Sequence, residues 1–163
     1  MIAPIVELGD PVLFKKATPV SRILGPDTQS LISTLIETLI NEKGLGLAAP
    51  QIGISKRLFL MWSNPVKSET IQVFINPVVT YLPGPKYRDI EGCLSIPGLR
   101  GRVSRYHAVQ VQYYDQHNTR YEAKFTGLEA RIIQHEYDHL EGVLFLDRVQ
   151  SSRDIMTEAY YAL

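Results

Sequence analysis

A single cysteine, Cys93, excludes any intramolecular disulfide in this 163-residue chain and argues for a reducing compartment. The chain also has no surplus of either charge: 17 Lys and Arg face 17 Asp and Glu. That balance offers no extended electrostatic footprint for a nucleic acid. The local cluster of Arg100, Arg102 and Arg105 reads as a solvated edge. No apolar run is long enough to span a membrane, so no membrane association is expected. The start, MIAPIVELGDPVLF, has no basic segment followed by a long apolar stretch, so no targeting peptide is expected and the cytoplasm is the expected location. Repeats and low-complexity tracts are absent. Residues 1–163 are expected to form one domain, long enough to bury a real core.

Periodicity supplies the elements. Leu31, Ile32, Leu35, Ile36, Leu39 and Ile40 recur at helical spacing, with an N-cap at Pro26-Asp27, Lys43 in the last turn and Gly44 as the stop. Beyond a glycine-rich stretch, 57–62, 72–79, 109–114 and 121–125 are rich in β-branched and aromatic residues and read as strands, with 115–118 as a turn between the last two. Pro77, Pro83, Pro85 and Pro97 are expected at strand ends and loops. A second helix begins at a capping box, Thr126 with Glu129, carries Leu128, Ile132, His135 and His139 near one face, and stops at Gly142. The tail from Ser151 is expected to form a short helix. This order predicts an α+β fold.

The segment His135-Glu136-Tyr137-Asp138-His139 carries the sharpest chemistry. Two histidines at i and i+4 on a helix point the same way and can hold one ion, and Glu136 can serve as a general base. A catalytic ion takes about three protein ligands and keeps a place for water. For the third ligand, Cys93 in Glu91-Gly92-Cys93-Leu94-Ser95 competes with Glu158. His107 and His117 are better read as surface imidazoles. A third segment, Gly44 to Gln51, allows close backbone approach through its small residues. It also ends on an amide donor, Gln51, suited to an oxyanion. It is no phosphate loop, because no Gly-Lys-Ser/Thr follows.

Together the segments GLGLAAPQ at 44–51, EGCLS at 91–95 and HEYDH at 135–139 resemble the three motifs of the peptide deformylase family, GxGxAAxQ, EGCxS and HExDH. The resemblance implies mostly antiparallel β-sheets surrounding a central helix that carries the two histidines. It implies an ion, Fe2+ in the cell with Zn2+, Ni2+ or Co2+ as substitutes, held by Cys93, His135 and His139. It implies hydrolysis of the N-formyl group of N-formyl-methionyl nascent peptides by water activated at the ion. Glu136 would be the base, and the Gln51 side chain and Leu94 N–H the oxyanion donors. Leu45, Gly46 and Gly92 are the expected backbone contacts, Leu128 and Ile132 the lining of the methionine pocket, and Arg100 the frame of its entrance. Some bacterial members carry a basic C-terminal helix that docks on the ribosome. The tail here, SSRDIMTEAYYAL, is short and not basic, which puts that route to a transient ribosome contact in doubt. The competing readings are a zinc peptidase using Glu158, a structural metal site, and a family member that has lost activity.

Overall fold

The computed structural model describes residues 1–67 and 69–163. Helix α1 (Pro26–Glu42) is followed by strands β1 (Gly46–Ala48), β2 (Leu58–Trp62), β3 (Ile71–Tyr81), β4 (Lys86–Cys93), β5 (Ile96–Tyr106), β6 (Ala108–Tyr114) and β7 (Arg120–Thr126). Helix α2 (Gly127–Leu140), the short helix α3 (Phe145–Arg148), strand β8 (Ile155–Thr157) and the single-turn helix α4 (Glu158–Tyr161) complete the order. The strands form two antiparallel sheets, ordered β1-β2-β3-β6-β7 and β4-β5-β8. This is the expected α+β class.

Strand β2 shows why the larger sheet sits where it does. Its residues Leu58 to Met61 are buried on both faces. Leu58 and Leu60 join Leu35 and Leu39 of α1 in one cluster, while Phe59 and Met61 join Ala130, Ile132 and Ile133 of α2 in another. A strand covered on both sides reads as a continuous apolar run rather than an alternation. Helix α2 also meets β5 of the smaller sheet, so it packs against strands of both sheets.

The expected boundaries shift in explicable ways. Gly25, not Pro26-Asp27, occupies the N-cap of α1; Pro26 takes the first helical position, where its missing N–H costs nothing, and Asp27 faces the positive end of the helix dipole. Lys43 itself adopts the left-handed conformation that ends α1, at φ 55°. Gly44 is held small by packing instead, since a Cβ there would lie 3.1 Å from Leu94 Cδ1 and 3.3 Å from Leu39 Cδ1. Thr126 stands at the N-cap of α2 but its side chain makes no cap bond. It still pairs with Ala108 as the last residue of β7, and Gly127, at φ +60°, turns the chain straight from strand into helix. Gly142 ends α2 in the left-handed region, as expected.

Pro77 is a correction, because it lies inside β3. It falls at a bulge between Ile75 and Val78, where Asn76 takes φ 51° and its side chain bonds both backbone groups of Val20 at 2.8 and 2.9 Å. The tail is a second correction. After a 3-10 turn at Ser152–Asp154 it forms β8, paired to Leu99, Arg100 and Gly101 of β5, and only then the single turn of α4.

Candidate metal centre

Helix α2 presents His135 and His139 one turn apart, with ring centroids 5.2 Å from each other. Cys93 arrives from the end of β4, where a bulge after Gly92 closes the strand onto Ile96 of β5. Its Sγ lies 3.4 Å from His139 Nε2. One ligand atom each from Cys93, His135 and His139 all fall within 4.8 Å of one another. A thiolate and two imidazoles fit a zinc- or iron-type divalent ion and leave a coordination place open. Burial pushes the His139 imidazole well below its ordinary value, which keeps it in the neutral form that a ligand needs.

Glu136 is buried, and its Oε2 has no hydrogen-bond partner. Burial pushes its carboxyl up to about 7. It lies against β1, so closely that a Cβ on Gly46 would stand 2.8 Å from its Oε1. Gly46→Ala should therefore displace the carboxylate and lower kcat at least about tenfold, by the same misplacement logic that governs general bases. A kcat within twofold of wild type in a folded, metal-loaded variant would show that the carboxylate can shift to accommodate the methyl group.

Gln51 sits in the 3-10 turn Ala49–Ile52 and is buried. Its Oε1 accepts from the Ala48 N–H at 2.9 Å, which fixes the amide's orientation. Its Nε2 is thereby turned toward Cys93 Sγ at 3.5 Å and Ser95 Oγ at 3.3 Å. Leu94 follows Cys93 in the turn between β4 and β5.

Behind the histidines runs a network of buried charges. His135 Nδ1 lies 2.9 Å from Glu91 Oε1, which leaves Nε2 free to face the ion. Glu91 also accepts two bonds from Arg105 at 2.9 Å and one from Arg131 at 2.6 Å. Arg105 reaches on to Asp138 at 2.6 Å, and Arg148 holds Asp138 from the other side at 2.9 Å. Burial alone would raise the Glu91 carboxyl, but the bonds from Arg105 and His135 override it and hold it well below the usual carboxylate range. Arg105 thus corrects the reading of a solvated edge: it is 4% exposed. It shares the inward face of β5 with buried Gly101 and Val103, a face on which only Val103 gives an apolar signal in the sequence. Arg131, one turn before His135, was also missed.

A cavity of about 350 Å³ opens beside Cys93 and His135. Leu45, Gly46, Gly92, Arg100, Leu128 and Ile132 all line it, together with Leu94. Glu158 lines it too, but its carboxylate pairs with Arg100 at 3.5 Å. A larger hollow of about 610 Å³ beside the start of α1 has no Cys or His among its described lining residues.

The polypeptide deformylase family profile matches residues 2–154. The chain belongs to that family. A peptide deformylase of Pseudothermotoga lettingae is 46% identical over 153 residues, covering 94% of this chain and 86% of that protein. Peptide deformylase 2 of Nostoc sp. is 40% identical over 166 residues, covering 98% of this chain and 93% of its own. Among solved structures, a Synechococcus elongatus peptide deformylase in complex with actinonin superposes with a TM-score of 0.86 at 39% identity, covering 93% of this chain and 81% of that one. A Met-Ala-Ser-bound class I type b deformylase of Acinetobacter baumannii gives a TM-score of 0.85 at 34% identity, over 91% of this chain and 99% of that one. Like these deformylases, the chain is a metal-dependent hydrolase. Among its described residues no helix is long and apolar enough to cross a membrane.

Proposed function

We propose that this deformylase removes the formyl group from the N-terminal formyl-methionine of nascent peptides, with Fe2+ as its physiological ion. The observation that carries the reading is the meeting of Cys93, His135, His139, Glu136 and Gln51 beside one cavity. Cys93, His135 and His139 would hold the ion. When bound it polarises a carbonyl and makes water a usable nucleophile near neutral pH.

The chain's own residues do the rest. The peptide lies along the half-buried backbone of Gly46 and Gly92 where it lines the cavity, with its methionine side chain against Leu128 and Ile132. Glu136 takes a proton from the attacking water. As the formyl carbon becomes tetrahedral, its oxygen gains negative charge, which the Gln51 Nε2–H and the Leu94 backbone N–H stabilise. Glu136 returns the proton to the amine nitrogen as the C–N bond breaks. Formate leaves, and the peptide keeps a free amino terminus. Work on nascent chains would bring the protein to ribosomes transiently, in the cytoplasm.

Formate release from formyl-Met-Ala-Ser, measured anaerobically with Fe2+, tests the reading; no formate from fully metallated protein would overturn it. The ligand set has its own check by metal analysis of purified variants. Cys93→Ser should carry substoichiometric metal while Glu158→Gln stays loaded. The reverse pattern would favour the peptidase reading.

A further inference from the structure

Strand β8 pairs Ile155, Met156 and Thr157 with Gly101, Arg100 and Leu99, and this docks α4 beside the cavity. Glu158, the first residue of α4, places Oε1 3.5 Å from Arg100 Nε. The same guanidinium lies 5.0 Å from the ring centroid of Tyr161. On its other side it presses on β4, where a Cβ at Gly92 would stand 3.0 Å from its Cζ, Nε and Nη1. Arg100 is therefore clamped between Gly92 and the 158–161 turn. Its Nε is buried without a hydrogen-bond partner. The Glu158 side chain is about half exposed, at 51%, so the pair adds little to stability. Its position is the informative part.

The charges lining the cavity divide by depth. Glu91 and Arg131 are buried and tied to each other at 2.6 Å. Toward solvent stand Glu42, Lys43, Arg100 and Glu158, two carboxylates against two cations. The lining is balanced, and one acid of that balance is supplied by the docked 155–161 segment.

We infer that Glu158 sets the charge preference of the cleft for the side chains that follow the terminal methionine, by offsetting Arg100. This rests on the deformylase reading for the identity of the peptide. Glu158→Gln leaves the outer lining with one net positive charge, and Arg100→Gln with one net negative charge. A unit charge about 5 Å away through water changes binding roughly threefold, so an acidic peptide gains and a basic one loses by that factor.

The test compares wild type, Glu158→Gln and Arg100→Gln on two peptides, Met-Glu-Glu and Met-Lys-Lys. Their dissociation constants come from calorimetry, and kcat/KM from the formylated forms. Glu158→Gln should raise the Glu-to-Lys ratio of kcat/KM about tenfold through KM, Arg100→Gln should lower it, and both shifts should fade in 1 M NaCl, where the screening length is about 3 Å. Ratios within twofold of wild type in both variants, or both variants moving the same way, would overturn the inference. Wild-type turnover of formyl-Met-Ala-Ser separates the two levels. If it is absent the deformylase reading fails, while the calorimetric ratios still report on Glu158.

Discussion

Glu136→Ala protein should retain its ion yet release formate about a thousandfold more slowly than wild type, within the range that a positioned general base supplies. The neighbouring histidines keep their places without the carboxylate: His135 is anchored by Glu91, and His139 sits buried against Cys93. What disappears is a buried carboxyl whose Oε2 bonds to nothing and whose proton affinity burial sets to about 7. Such a group is costly to the fold, so it reads as a chemical group rather than a structural one. The variant's melting temperature should accordingly equal or exceed that of wild type, especially as Glu136→Gln, which keeps the volume. Substantial deformylation by a metal-loaded Glu136→Ala protein would remove Glu136 as the base. Loss of metal in that variant would instead make it a structural support.

Arg105→Ala should be the most destabilising of the single substitutions considered. Arg105 joins Glu91 to Asp138 inside the protein, with both partners buried beside it. Removing one partner of a buried ion pair costs about 3–5 kcal/mol, because a charge is left uncompensated. For a chain of this size that corresponds to a melting temperature lower by roughly 10 °C. Two features soften the loss: Arg131 still holds Glu91, and Arg148 still holds Asp138. A fall below about 1 kcal/mol in urea unfolding would show that these neighbours suffice. Acid provides a second check. The folded Glu91 carboxyl sits below its unfolded value near 4.3, so its stabilising contribution is complete above that pH and is lost as pH falls below it. Wild type should lose stability in that window, and Arg105→Ala should show a shallower dependence there.

The network also explains which parts of the fold were hard to read locally. Strands β4 and β5 show little apolar alternation because their inward faces carry Glu91 and Arg105 as well as Val103, and those charges are satisfied by residues from α2. The outer edge of β5 looks equally irregular. There Gln134 of α2 bonds both the N–H and the carbonyl of Tyr106, at 3.0 and 2.8 Å, in place of a neighbouring strand. Strand β8 falls where the tail is expected to be helical for a related reason: a three-residue strand has too short a period to register, and its partner, Leu99–Gly101, is distant in the chain.

By itself the sequence determined α1, the β2-β3 and β6-β7 strands, and the pairing of His135 with His139, because each shows within one element: helical spacing for α1 and the histidines, runs of β-branched and aromatic residues for the strands. Its three motifs named the chemistry only by likeness. For the third ligand the local pattern left Cys93 level with Glu158. Tertiary structure alone brought the Cys93 sulfur to 3.4 Å from His139 and turned Glu158 toward Arg100. It alone made Arg105 a buried link rather than a surface charge. The physical reason is separation along the chain. Cys93 and His139 are 46 residues apart, and no periodicity within either segment encodes a contact that only the packing of α2 against the smaller sheet creates.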